Sequence, residues 1–188
     1  DFDRVRKRNE FEWQAFRRWI ARASTSEVAR HANAIVDFFF ARSEGDVLAI
    51  DGMVFDLEMP GLRQSVHGKN LETLIVETAK ALCLRKPDGV VSYYTATFNE
   101  DGSVNIPAME PFTYQLAERH PNLMARTMCY NPGGPFSNET ILKSCDHALS
   151  AGVDPAKVQM ALETKGATKA SYTPLIEALA TRGIGVAL

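Results

Sequence analysis

No apolar run in this 188-residue sequence approaches the ~20 residues that a membrane-spanning helix needs. No charged start followed by an apolar stretch is visible either, so there is no signal-peptide pattern. Cysteine is scarce: Cys83, Cys129 and Cys145 lie far apart with no CxxC spacing. An odd, scattered set argues against a disulfide framework and against a zinc site. His31, His67, His120 and His147 are equally dispersed, and no metal or other cofactor is expected. A net charge of -2 gives no reason to expect nucleic acid or an anionic membrane surface as partner. The one basic cluster, Arg4, Arg6, Lys7 and Arg8 followed by Arg17, Arg18 and Arg22, is interrupted by acidic residues and by Trp13 and Trp19. It reads as a solvated helix face.

What is present is ordinary for a soluble globular protein, 45% apolar and 23% charged, at a length that suits one domain or part of a larger one. Helical and strand patterns alternate. Phe11, Phe16, Trp19 and Ile20 predict an amphipathic helix over about 9–22. Ser24 and Glu27 form a capping box ahead of Val28, Ala32, Ile35, Val36 and Phe39 at helical spacing. Gly45 ends that helix, and Val47 begins a strand that runs to Glu58. A helix through Leu71–Leu82 leads to the strand Val90–Phe98, and one around Pro111–Arg119 leads to the strand Leu123–Tyr130. Ile141, Cys145 and Ala148 mark a helix closed by Gly152, before the strand Lys157–Leu162. Thr173 caps a last helix with Pro174 in its first turn; Gly183 stops it, and Ile184–Leu188 reads as a strand.

Strands joined by helices are parallel, because a crossover must return the chain to the same end of the sheet. Two α/β architectures fit, an open doubly wound sheet or part of a barrel of eight parallel strands. The doubly wound fold normally carries a Gly-rich phosphate loop after its first strand. None follows here, which leans toward the barrel.

Val54, Asp56 and Glu58 share one face of their strand by its period of two, and Phe55 and Leu57 share the other. In a barrel, Phe55 and Leu57 pack under the helices while the two carboxylates face the axis near the strand's carboxyl end, where such enzymes keep their catalytic groups. Asp51-Gly52-x-x-x-Asp56-x-Glu58 resembles the fourth-strand signature of family 18 glycoside hydrolases, Asp-Gly-x-Asp-x-Asp-x-Glu, with Val54 in place of the middle Asp. Two strands later that family shows Met-x-Tyr-Asp/Asn, and this chain has Met128-Cys129-Tyr130-Asn131. Lys157–Gly166 and Gly183–Leu188 resemble the family's seventh and eighth strands, so the resemblance extends from about residue 25 to the end.

The resemblance implies a TIM (β/α)8 barrel, of which residues 1–188 supply about five βα units as a single domain incomplete at its N-terminus. It also implies hydrolysis of a β-1,4 bond next to N-acetylglucosamine, in chitin-like polymers or the chitobiose core of N-glycans. That family is the substrate-assisted exception among retaining glycosidases: the sugar's own 2-acetamido oxygen attacks the anomeric carbon. By resemblance Glu58 is the acid and later the base, Asp56 binds the acetamide N–H, and Tyr130 hydrogen-bonds the acetamide oxygen. Met128 lines the floor of the subsite and Asn131 stands beside it. Asp51 joins this substrate-binding set, mainly by supporting the strand end. No cofactor is implied; the partner is an N-acetylglucosamine-containing glycan, with another chain or a missing segment completing the barrel. The family favours secretion.

Val54 has two consequences. Asp56 loses a partner for proton sharing and stays anionic over a wider pH range. A non-hydrolytic, lectin-like relative becomes the second reading, against which the retained Glu58 speaks. Cys129, opposite in parity to Met128 and Tyr130, is expected to be a buried structural thiol. Tyr93, Thr95 and Thr97 alternate along their strand and read as filler for the barrel axis, with sugar contact as the alternative. Asn138-Glu139-Thr140 matches a glycosylation acceptor, but it opens a helix where Asn and Thr act as caps. Asn131–Pro135 is a turn-rich loop.

Overall fold

In the computed structural model, the residues described are 14–43, 51–55, 66–94, 114–131, 134–135, 137–150, 152–162 and 169–187. Helix α1, described over 14–22, leads into α2 (Thr25–Ser43), β1 (Gly52–Phe55) and α3 (Val66–Arg85). Then follow β2 (Val90–Tyr94), a helical turn over 114–119, and β3 (Leu123–Met128). The short strands β4 (Tyr130–Asn131) and β5 (Gly134–Pro135) precede α4 (Asn138–Ser150), β6 (Val158–Ala161), α5 (Lys169–Thr181) and β7 (Gly185–Ala187).

β1, β2, β3, β6 and β7 form one sheet in that order, parallel throughout, so the described strands of this sheet are neighbours in the order in which the chain makes them. A doubly wound sheet reverses its order at a switch point and carries helices on both faces. The described strands never reverse, and right-handed crossovers then put every connecting helix on one side. Side-chain parity agrees. Val91 and Tyr93 of β2, Leu123 and Ala125 of β3, and Val158 and Met160 of β6 share one buried core with Ile75, Ala79 and Leu82 of α3, Ile141 and Cys145 of α4, and Leu175 and Leu179 of α5. Met53 and Phe55 pack against that core from β1. Gly52, Val54, Ser92, Tyr94, Met124, Arg126, Gln159 and Gly185 therefore belong to the far face, turned away from the helices.

α1 and α2 add an outer layer, with Ile20, Val28 and Ala32 packed against Leu74 of α3. The capping box holds as read. The Ser24 amide donates to Glu27 Oε2 at 2.8 Å, and the Glu27 amide donates back to Ser24 Oγ at 3.3 Å. The Ser24 amide, with the Ser24 hydroxyl donating to the same oxygen at 2.7 Å, holds the Glu27 carboxyl below its ordinary pKa. Buried Asn70 fastens α1 from α3, its Nδ2 donating to the carbonyls of Ile20 and Ala23, each at 2.8 Å. Arg17, Arg18 and Arg22 are exposed, as a solvated helix face requires.

Of the three helix stops expected of glycine, Gly45 lies outside the described residues, and the other two are present, at Gly152 (φ 74°) and Gly183 (φ 73°). At the second, the Gly183 amide donates to Ala180 O at 2.9 Å and the Ile184 amide to Leu179 O at 3.0 Å, a Schellman motif that joins two core side chains.

Four local expectations change. Pro174 lies inside α5, not in its first turn, because the helix already starts at Lys169. One amide donor is lost, and the buried stripe Tyr172, Leu175, Leu179 carries the helix through it. At α4 the cap is Ser137, whose Oγ accepts from the Thr140 amide at 3.2 Å; Asn138 is the first helical residue. Tyr93 does not fill a barrel axis. It shares parity with fully buried Val91 and so faces the helices, where its hydroxyl donates to Tyr114 O at 3.4 Å and burial raises its pKa. Thr95 and Thr97 lie outside the described residues. Finally, β3 ends at Met128, and Tyr130 belongs to a separate antiparallel pair with β5.

Candidate active site

Parallel strands give the sheet one amino end and one carboxyl end, and the motif residues divide between them. Asp51 stands at the amino end, immediately before β1. Its carbonyl accepts from the Val90 amide at 3.2 Å, and its exposed carboxylate meets Lys86 Nζ at 3.1 Å. Asp51, with Asp88 beside it, raises the Lys86 pKa above its ordinary value. Gly52 has an equally local reason. It pairs with Val90, and a β-carbon there would run into the Val90 carbonyl oxygen. The first two matched positions of the motif thus start β1 and let β2 approach it closely, whatever the rest of the motif does. Asp51 fits the supporting role and lies at the opposite end of the sheet from Met128.

At the carboxyl end, Phe55 closes β1 with its side chain toward the helix-side core, and Val54 lies on the far face at 49% exposure, in register with Ser92. Asp56 and Glu58 lie outside the described residues. Met128 ends β3 in register with Ala161. The Cys129 amide still donates to Ala161 O at 2.9 Å. The chain then leaves the sheet: Tyr130 pairs with Pro135, and Asn131 with Gly134, in the small antiparallel pair just past the carboxyl end. Within the stretch expected to be a turn-rich loop, Asn131, Gly134 and Pro135 thus belong to this short antiparallel pair, and Pro132 and Gly133 lie outside the described residues.

Cys129 is a buried thiol, as expected from its parity. It is 1% exposed, its Sγ donates to Thr127 O at 3.5 Å, and Met160 Sδ lies 3.7 Å away. Burial, with a smaller contribution from Cys145, pushes its pKa up to about 12, so it presents no thiolate nucleophile near neutral pH.

The far face holds a group that sequence reading passed over. Arg126, half-buried in the middle of β3, donates through Nε and Nη2 to Gln159 Oε1 at 3.3 and 3.0 Å, and its Cζ lies 5.9 Å from the centre of the Tyr94 ring. Its signal was available: Leu123, Ala125 and Thr127 alternate with Met124 and Arg126, so a core strand places a cation on its second face. Among the described residues no three His, Cys, Asp or Glu side chains gather as a metal site would require, and no helix is long and apolar enough to cross a membrane. No known protein-family model matches this chain, and no curated protein matches it.

Proposed function

We propose that this chain carries the acid and the acetamide-binding groups of a substrate-assisted glycoside hydrolase. It would cleave a β-1,4 bond next to N-acetylglucosamine in a chitin-like polymer or an N-glycan core. One observation supports this reading most. β1 and β3 are parallel and separated by β2 alone, so the segments that follow Phe55 and Met128 start from the same end of one sheet. With neighbouring strands about 4.8 Å apart, those two exits stand about 10 Å apart, a gap that a sugar ring and its acetamide group can span.

In this reading the singly wound sheet is part of a (β/α)8 barrel whose axis is the far face. Further strands, from elsewhere in the protein or from a second chain, cover the edges at β1 and β7. Glu58 protonates the leaving oxygen and then activates water. Asp56 holds the acetamide N–H and balances the charge that develops on it. Tyr130 orients the acetamide oxygen, and Met128 and Asn131 line the same subsite. Because the nucleophile belongs to the substrate, the protein needs to supply orientation and one acid.

The test is inhibition by a thiazoline that mimics the oxazolinium intermediate. Competitive inhibition of chitooligosaccharide or glycopeptide cleavage is expected. Cleavage that ignores the thiazoline would remove substrate assistance, and glycan binding without any turnover would favour the lectin-like reading suggested by Val54.

A further inference from the structure

The amino ends of β2, β3 and β6 meet on one short stretch, His120 to Leu123. Asn122 ties it to β2: its Nδ2 donates to Pro87 O at 2.8 Å and to Gly89 O at 2.7 Å, and its carbonyl accepts from the Val91 amide at 2.9 Å. Lys157 closes the helical turn Pro155–Lys157 ahead of β6 and ties the stretch from the other side. Its Nζ donates to His120 O at 2.9 Å, to Pro121 O, and to Leu123 O at 3.4 Å. His120 closes the stretch on itself. Its carbonyl accepts from the Leu123 amide at 3.1 Å, and its ring Nδ1 accepts from the Asn122 amide at 3.2 Å.

That last bond exists in one protonation state alone. A neutral imidazole with its proton on Nε2 offers Nδ1 as an acceptor, whereas an imidazolium is a donor at both nitrogens. After protonation two donors face each other, so the ring must turn away and the Asn122 amide loses its acceptor. The surroundings favour the neutral ring. Burial lowers the His120 pKa, and the cations Lys157 and Lys80 of α3 lower it further. The carboxylates nearby are engaged elsewhere. Glu118 accepts from the Asp154 amide at 2.8 Å, and Asp154 from the Ala156 amide at 3.0 Å. Glu72 pairs with Arg119 at 2.9 Å, and Glu77 with Lys80 at 2.7 Å.

We propose that His120 is a pH-sensitive latch at the amino end of the sheet: its neutral ring holds the His120–Leu123 stretch closed, and its protonation in mild acid opens it. The folded pKa lies below the ordinary value of 6.5, so the stability contributed by the neutral ring is complete above that value and is lost as pH falls through the folded pKa. The opening is local. The Asn122 side chain has no titratable group, and Lys157 stays charged throughout that window, so both keep the strands in register while the turn between them loosens. The latch acts whatever chemistry occurs at the carboxyl end.

The experiment uses the full protein and its His120→Asn variant. Asparagine offers a side-chain oxygen to the amide two residues on, as in an Asx-turn, but does not titrate. Ring nitrogen-15 spectra follow the His120 tautomer and titration, and hydrogen exchange follows the Asn122 amide, with protection factors compared between about pH 7.5 and about pH 5. The wild type is expected to show the Nε2–H tautomer at neutral pH and a titration midpoint below 6.5. Protection of its Asn122 amide is expected to fall about fivefold to tenfold across that range as the acceptor is lost. His120→Asn is expected to keep its protection. An Nδ1–H tautomer at neutral pH, unchanged protection in the wild type, or an equal loss in both proteins would overturn the proposal. If His120→Asn fails to fold, the wild-type tautomer and the coincidence of its ring titration with the loss of Asn122 protection decide the matter; separate midpoints overturn it.

Discussion

Gly52→Ala separates packing from chemistry within the motif. Gly52 is paired with Val90, and a β-carbon at position 52 would overlap the Val90 carbonyl oxygen, a backbone atom that cannot swing aside. Either β1 and β2 part locally or β1 shifts along its partner, and overpacking of this kind costs about 1–3 kcal/mol. At about 2 kcal/mol the folded-to-unfolded ratio falls roughly thirtyfold. A urea titration reads the loss directly. Hydrogen exchange locates it, since the Val90 amide donates to Asp51 O at 3.2 Å and should lose protection first. Activity should fall with β1 displaced, but the pH profile should keep its shape because no ionisable group has been altered. Stability within about 0.5 kcal/mol of wild type, as for an ordinary surface substitution, would refute the pairing of Gly52 with Val90.

Two further outcomes follow from the same geometry. Val54→Asp should be tolerated, because a side chain 49% exposed forfeits no more than about 1 kcal/mol of apolar burial. The new carboxyl should move the acid limb of activity upward by raising the pKa of its neighbours, and an unmoved limb would contradict the partnership argued for Asp56. Cys129 should resist alkylation at pH 8 while half-exposed Cys83 reacts; native labelling of Cys129 at the rate of Cys83 would contradict its burial. Its folded pKa of about 12 lies above its ordinary value of 9.0, so its contribution to stability is complete below pH 9 and is lost as pH rises toward 12. In urea titrations Cys129→Ala should show a shallower decline over that window.

Much of the fold was readable because local and global signals agree. The Ser24–Glu27 box, the glycine stops at Gly152 and Gly183, and strand cores such as Leu123–Met128 each follow from a short-range rule that the packing leaves intact. Cys129 was readable for the same reason: strand parity fixes its face. Tyr93 went the other way because its alternation with Thr95 and Thr97 groups the three on one face without saying which, and fully buried Val91 two residues earlier decides it. Pro174 was misread because the helix rule is local while the stripe Tyr172, Leu175, Leu179 is tertiary. The end of β3 depends on the pairing of Tyr130 with Pro135, which no single-strand pattern contains.

The candidate site was legible in part. Asp51 and Gly52 matched a signature, yet their contacts with Lys86 and Val90 show work at the amino end of the sheet. Val54 was placed correctly on the face away from Phe55. The row of Tyr94, Arg126 and Gln159 could not be assembled from sequence, because it requires the register of three strands at once.

The central claim is that Glu58 supplies the proton for cleavage next to N-acetylglucosamine. Product release from chitooligosaccharides and from a high-mannose glycopeptide, compared between wild type and Glu58→Gln, tests it most directly. Wild type should release product, and Glu58→Gln should be slower by a factor of about 10²–10⁴ with substrate still bound. Equal release by the two proteins would contradict the assignment.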